Sequence, residues 1–361
     1  MKYPIYIPEI TQKEREFILD CLDSTWISSR GKYIERFEQN IADYIDCNHA
    51  ISVPNGTIAL HLTLLAFEIG LGDEVIVPDF TYIATANAVL HANAKPVLVD
   101  VDSHTWNITV ENIKEAITNK TKAIIVTDIY GTPPDMNAIM ALAEKNNLIV
   151  IEDAAESLGA TYRGKKAGNL AHAAILSFFG NKTITTGEGG MLLTNDHDLA
   201  KKALMIKNQG NSETKIYYHD LLGYNYRMTN LQAAIGVAQM QRIDFILERK
   251  RKIQQQYERY LQNHVKFQKV LKGITSSYWM VSMLVENHFQ RESMMKSLEN
   301  DDIETRPFFY PVHKMPYYDQ KDHPVSNNLS RRGISVPSYP TLKEEDVKYI
   351  SEKIIYYLTK M

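Results

Sequence analysis

A chain of 361 residues is longer than one hydrophobic core usually serves, so two lobes are expected, and 44% hydrophobic with 23% charged residues is an ordinary globular composition. Forty basic against 43 acidic side chains leave a formal charge of −3, which excludes the basic face of a nucleic-acid binder. Two cysteines, Cys21 and Cys47, make no disulfide framework and stand in no metal-ligand spacing, and no apolar run suits a signal peptide or a membrane span; no metal and no membrane partner are expected, and the location expected is cytoplasmic.

Residues 12–24 carry Phe17, Ile18, Cys21 and Leu22 at helical spacing, which predicts a short amphipathic helix. From residue 50 short apolar runs at 50–53, 74–78, 96–101, 122–127 and 148–152 predict strands. Helical segments at 57–69, 82–93, 109–118 and 135–146 separate them. Runs at 174–178 and 190–194 add two strands, followed by helices at 196–208 and 230–262, the second broken near 243. From about 265 the pattern is strand-like and mixed, closing on a helix from 343. The fold class expected is α/β, a mostly parallel seven-stranded sheet flanked by helices, with a smaller C-terminal α+β lobe. The lobes are placed at 1–250 and 251–361.

Ligands of open α/β sheets bind beyond the carboxyl ends of the strands, so those ends are where chemistry is sought. After the first strand, Gly56 permits close backbone approach and Thr57 adds a hydroxyl where a helix begins, a cradle for a phosphate; a turn with an N-cap threonine has the same pattern. Tyr82, after the second strand, offers a ring to a flat heteroaromatic group, or caps its helix as a core aromatic. The fifth strand ends in Glu152 and Asp153, an acidic pair that is costly to bury without a cation. A protonated pyridine nitrogen would meet Asp153, with Glu156 reaching a ring hydroxyl; a magnesium ligand or a helix cap are the other readings. After the sixth strand come Ser177, another hydroxyl for phosphate, and Lys182, in a glycine-rich loop where burial would favour the neutral, imine-forming amine. In this order the four strand ends supply every group that pyridoxal 5′-phosphate requires.

The segments E-D-A-A-E-S-L-G (152–159), S-F-F-G-N-K-T-I-T-T-G-E-G-G-M (177–191) and G-Y-N-Y-R-M-T-N-L-Q-A-A (223–234) resemble the DegT/DnrJ/EryC1/StrS sugar aminotransferases, a branch of the fold-type I pyridoxal-phosphate enzymes. The likeness runs nearly end to end. It implies that Lys182 is the Schiff-base lysine and Asp153 the pyridinium partner. It also implies that Tyr82 stacks on the ring, that Glu156 bonds the ring hydroxyl, and that Gly56, Thr57 and Ser177 hold the phosphate. Asn225 and Arg227 fall in a segment that crosses to a neighbouring subunit in the family, where the asparagine reaches the phosphate, so a homodimer with shared sites is implied. Trp26, Ser28, Ser29, Arg306, Phe309 and His313 are expected to line the nucleotide-sugar pocket; a packed core histidine is the other reading of His313. The reaction implied is amino transfer from glutamate to C4 of a nucleotide-linked 4-keto-6-deoxy sugar, with GDP-4-keto-6-deoxymannose expected from 23–29 and 305–316. A UDP- or dTDP-linked 4-keto-6-deoxyglucose is the alternative within the family. A non-catalytic regulator or sugar-binding protein is the alternative outside enzymology.

Overall fold

The computed structural model describes residues 1–360. Thr11 caps α1 (Gln12–Asp23) in a box closed by Glu14. Next comes α2 (Lys32–Ile45), a helix not foreseen from the sequence. Its Tyr33, Phe37, Ile41 and Ile45 recur every four residues and are all buried. Yet it starts at Gly31 without a side-chain cap and ends at Asp46 in the left-handed region, so the usual boundary residues are missing.

The alternation then unfolds as expected, through β1 (His49–Val53), α3 (Gly56–Ala66), β2 (Glu74–Pro78), α4 (Ile83–His91), β3 (Lys95–Val99), α5 (Val110–Ala116), β4 (Thr121–Thr127), α6 (Met136–Lys145) and β5 (Ile149–Asp153). A small hairpin of β6 (Thr161–Tyr162) and β7 (Lys165–Lys166) precedes β8 (Ala173–Ser177) and β9 (Gly190–Thr194). Helices α7 (His197–Lys207), α8 (Asn230–Met240) and α9 (Ile243–Leu261) follow, the last two divided near the predicted break. The main sheet has seven strands in the order β1-β9-β8-β5-β4-β2-β3. Only β9 runs against its neighbours, β1 and β8; the other pairs are parallel.

Alternate strand residues feed opposite faces. Val53, Val75, Val77, Ile125, Ile151 and Ile175 pack against α3, α4 and α7. Ile76, Ile124, Val126 and Val150 meet α5 and α6, and Leu176, Met191 and Leu193 meet α2 and α8. Burial on both faces is why these strands read as unbroken apolar runs.

The second lobe holds β10 (Lys266–Phe267), β11 (Ile274–Thr275), β12 (Val281–Leu284), α10 (His288–Asn300), β13 (Arg306–Pro307), α11 (Pro324–Arg332), β14 (Gly333–Val336) and α12 (Glu344–Thr359). Its antiparallel sheet, in the order β10-β12-β14-β13, packs against α9, α10 and α12 through Ile253, Tyr257, Met283, Leu298, Ile334 and Ile350. Tyr3 joins this core and bridges Ile303, so the start of the chain is held by the lobe that its end builds. β11 pairs back with β6, which ties the two lobes together. No helix among the described residues is long and apolar enough to cross a membrane.

Candidate active site

The carboxyl ends of β1, β2, β4, β5 and β8 open into one cleft of about 400 Å³, lined by Gly56, Thr57, Tyr82, Asp153, Glu156, Ser177 and Lys182. Seven of the expected cofactor residues therefore share one space. From the second lobe Trp279, Arg306 and Phe309 close it.

At the β1–α3 turn, Asn55 caps the helix, its side chain accepting the Ile58 amide at 2.9 Å. The amides of Gly56 and Thr57 belong to the first turn, where no intrahelical acceptor exists, and such a helix start attracts a phosphate. A Cβ on Gly56 would stand 3.0 Å from the Ser177 Cβ, so the glycine lets the end of β8 close against the turn. A Cβ on Gly190 would stand 2.4 Å from the Asn55 carbonyl, so β9 passes the same turn with backbone against backbone.

Asp153 is buried. Its carboxylate accepts the Thr85 hydroxyl at 2.7 Å and the Ala155 amide at 3.2 Å. Thr85 in turn meets the Thr81 hydroxyl at 3.0 Å, and Thr81 meets Thr127 at 3.1 Å. Burial pushes the Asp153 pKa up, while these donors and the Lys182 charge pull it down. A ring cation against it would restore its ionised form. Glu152, one residue earlier, faces the other side of the sheet and accepts the Gly168 and Leu170 amides at 2.9 and 3.1 Å. The acidic pair thus divides between two jobs, and only Asp153 enters the cleft.

Glu156 accepts the Tyr130 amide at 2.7 Å and lies 3.7 Å from the Lys182 ammonium. Burial pushes its pKa up to about 7, against the pull of Lys182. Burial lowers the Lys182 pKa in turn, against the pull of Glu156 and Asp153. Lys182 Nζ sits 4.0 Å from the centroid of the Trp279 ring. The loop beneath it is pinned twice: the Tyr6 hydroxyl donates to the Lys182 carbonyl at 2.7 Å, and Trp279 Nε1 to the Asn181 carbonyl at 2.8 Å.

Tyr82 is 56% exposed, with its ring 5.6 Å from that of Phe309. Phe309 stacks on Tyr130 at 5.7 Å with planes 5° apart. Together they make an aromatic wall. Tyr6, Thr85, Tyr130 and Trp279 were not among the expected residues. Thr85 stood within reach in the T-Y-I-A-T run, whereas the other three carry no local signal because remote contacts place them.

His313 does not line the cleft, which corrects its expected place. It is fully buried, its Nδ1 2.7 Å from the Asp79 carboxylate and its amide donating to the same group at 2.8 Å. It ties the turn at 312–314 to the end of β2 and is the packed histidine of the other reading. Donor atoms of Asp79, His313 and His323 lie within 4.8 Å of one another, a grouping that could hold a metal ion and that sequence spacing does not announce. Trp26, Ser28 and Ser29 also lie outside the cleft. Their segment hangs on Asn230, which donates to the Trp26 carbonyl at 2.7 Å and the Ser28 carbonyl at 2.6 Å. Asn225 and Arg227 pair with each other at 2.8 Å, outside the cleft of their own chain. A second cleft, of about 490 Å³ between 102–111, 132–139 and 269–271, contains none of the expected residues.

A phosphate cradle, an aromatic wall, a buried carboxylate and a desolvated lysine around one cleft fit pyridoxal phosphate and define the class of enzymes built on it. The model of the DegT/DnrJ/EryC1/StrS aminotransferase family matches residues 8–355, and the chain belongs to that family. It is 50% identical over 357 residues to a GDP-perosamine synthase of Escherichia coli O157:H7, covering 98% of each chain. It is 45% identical over 361 residues to the enzyme of the same name from Vibrio cholerae, again covering 98% of each. Among solved structures it resembles the PLP form of the putative sugar aminotransferase Spr1654 from Streptococcus pneumoniae, with a TM-score of 0.94 and 26% identity over 99% of this chain and 98% of that one. Its cofactor is pyridoxal 5′-phosphate.

Proposed function

We propose that the protein transfers the amino group of glutamate to C4 of GDP-4-keto-6-deoxymannose, giving GDP-perosamine. The observation that carries the chemistry is the placement of Lys182 Nζ in a closed cleft 3.7 Å from Glu156, with Asp153 buried beside it. The sugar rests on the two relatives of that name, alike over nearly the whole chain.

When bound, the cofactor supplies the electron sink and carries the amino group between substrates. Lys182 would hold it covalently and, as a free amine, would serve as base and acid at the reacting carbon. Its lowered pKa favours the neutral amine that both tasks need. Asp153 would meet the ring nitrogen and favour its protonated form, and the Thr85 hydroxyl, which donates to this carboxylate, holds it in place. Glu156 would meet the ring hydroxyl, and the Gly56 and Thr57 amides with Ser177 would hold the phosphate. Tyr82 would cover the ring, while Arg306 and Phe309, which line the cleft from the second lobe, would meet the nucleotide sugar.

A homodimer in the cytoplasm completes this reading. We read 1–250 as the cofactor lobe and the described residues from 251 as the lobe that closes it. Asn225, on the exposed side of its own chain, would complete the phosphate site of the neighbour, with Arg227 and the Trp26–Ser29 stretch beside the neighbour's sugar. The deciding experiment offers glutamate with GDP-, UDP- and dTDP-linked 4-keto-6-deoxy sugars and analyses the products by mass spectrometry. Amination of the GDP sugar is expected. Amination of the UDP or dTDP sugars alone would move the protein to another sugar, and no amination at all would favour a regulator.

A further inference from the structure

Lys250, on α9, is 1% exposed, and among the described residues no carboxylate pairs with it. Such a cation is expensive unless its protons find acceptors. They find backbone carbonyls, that of Trp279 at 2.9 Å and that of Ser338 at 3.5 Å. The ammonium also lies 5.3 Å from the centroid of the Tyr6 ring. Burial alone lowers its pKa to about 7.

The groups it touches are those that grip Lys182. Tyr6 holds the Lys182 carbonyl, and Trp279 holds the Asn181 carbonyl while laying its indole against Lys182 Nζ. Neighbours on α9 read the same stretch of the second lobe: Tyr257 donates to the Pro337 carbonyl at 3.0 Å, and Arg249 to the carbonyls of Pro340 and Leu342 at 2.9 and 2.7 Å. The N-terminal segment, α9 and the approach to β12 therefore converge on one buried ammonium.

We propose that Lys250 is a positioning residue for Lys182, holding Trp279 and Tyr6 where they fix the height and direction of the catalytic amine. A simple structural tie would need only a neutral donor or an apolar filler at this place. A lysine amine bonded to two carbonyls, those of Trp279 and Ser338, instead sets the backbone on which the indole is mounted. A shift of the indole moves the surface against which Lys182 Nζ rests. The proposal rests on Lys182 being the lysine that holds the cofactor.

The test uses the holoenzyme of the natural chain, Lys250→Met, Lys250→Gln, Lys250→Arg, Tyr6→Phe and Lys182→Ala. The first reading is the pH at which the cofactor absorbance changes. The second, on the apoprotein, is the rate at which a small acylating reagent labels Lys182. Lys250→Met should move the absorbance midpoint by about half a pH unit or more, since the charge and position of the amine both change. Its kcat should fall about tenfold or more, as small misplacements of a reacting group do, with the KM for the nucleotide sugar held within about threefold. Arginine should restore part of the loss, and Tyr6→Phe should shift the midpoint the same way by less. A natural midpoint and labelling rate in Lys250→Met overturn the proposal, whatever its melting temperature. If that variant does not fold, a natural midpoint and labelling rate in Lys250→Gln, which removes the charge and shortens the reach to both carbonyls, overturn it. A Lys182→Ala holoenzyme with unchanged absorbance overturns the functional reading itself, which separates the two failures.

Discussion

Asp153 carries a charge whose cost depends on what stands opposite it. Burial pushes it toward its neutral form against the pull of its hydrogen-bond donors and Lys182, and a ring cation would reverse that balance. Asp153→Asn keeps the shape and can still meet Thr85, but cannot hold a proton on the ring nitrogen. Removing one partner of a buried pair costs about 3 kcal/mol or more, which corresponds to at least about a hundredfold in rate. Turnover with glutamate should fall by that factor, and a loss of less than tenfold would sink the pyridinium role. Glu156 makes a prediction of the opposite sign for stability. Its folded pKa of about 7 lies above its ordinary 4.5, so between those values the folded chain binds the extra proton. Stability of the apoprotein therefore declines as pH rises from about 4.5 to about 7 through this group, and levels off above. Glu156→Gln removes the decline. Against the natural chain, its melting temperature should gain a few degrees between pH 5 and pH 7.5. An equal difference at both values would show that Glu156 does not titrate as its burial implies.

At the scale of elements, the β1–α3 turn is the part most tightly specified by its neighbours. A methyl at Gly190 would strike the Asn55 carbonyl, and both parties are backbone, so one of them must move. Gly190→Ala should cost about 1–3 kcal/mol, as overpacking does, and should loosen the phosphate cradle. A lower melting temperature together with a higher dissociation constant for pyridoxal phosphate, read by absorbance titration, is expected. A melting temperature that falls with cofactor affinity unchanged would mean that the turn is not part of the cradle. Gly56 was legible in the sequence because it follows a strand and opens a helix, whereas Gly190 looked like one member of a glycine cluster and drew its meaning from a strand that starts 141 positions earlier. The same division runs through the fold. The strands of the main sheet were legible within one or two residues, because two-sided burial makes each an unbroken apolar run. Helix α2 has an equally clear apolar face but lacks end signals, and α10 and α11 lie in a stretch whose helical and strand patterns mix. Asp153 was picked out because it closes a strand and Lys182 because it lies in the loop just after one; Trp279 and Tyr6 reach Lys182 from remote segments through contacts that no local pattern encodes.

The whole molecule leaves an apolar surface that a lone chain does not explain. Ile216 is 90% exposed, Tyr217 97% and Leu222 86%, all in the loop that precedes Asn225 and Arg227. Trp26 and Ile27 are exposed as well, on the segment hung from Asn230. Exposed apolar side chains of this size, three of them within one short loop, would suit an interaction surface. A two-fold arrangement would present the same loop and segment from each chain to the other, which is the isologous contact most dimers use. It would also carry Asn225 and Arg227 out of their own chain's surroundings and toward the neighbour's cleft. The proposed dimer therefore has a consequence for the site as well as for mass. The protein should sediment as a dimer at micromolar concentration. Tyr217→Ser combined with Leu222→Glu should favour the monomer, because a buried interface tolerates an unpaired carboxylate poorly. Neither residue lines the cleft, so any loss of cofactor would have to come from the lost neighbour. If the two chains share their sites, the dissociation constant for pyridoxal phosphate should rise in step with the monomer fraction as the protein is diluted. Monomers that bind the cofactor as tightly as the natural protein would show that each cleft is complete in its own chain.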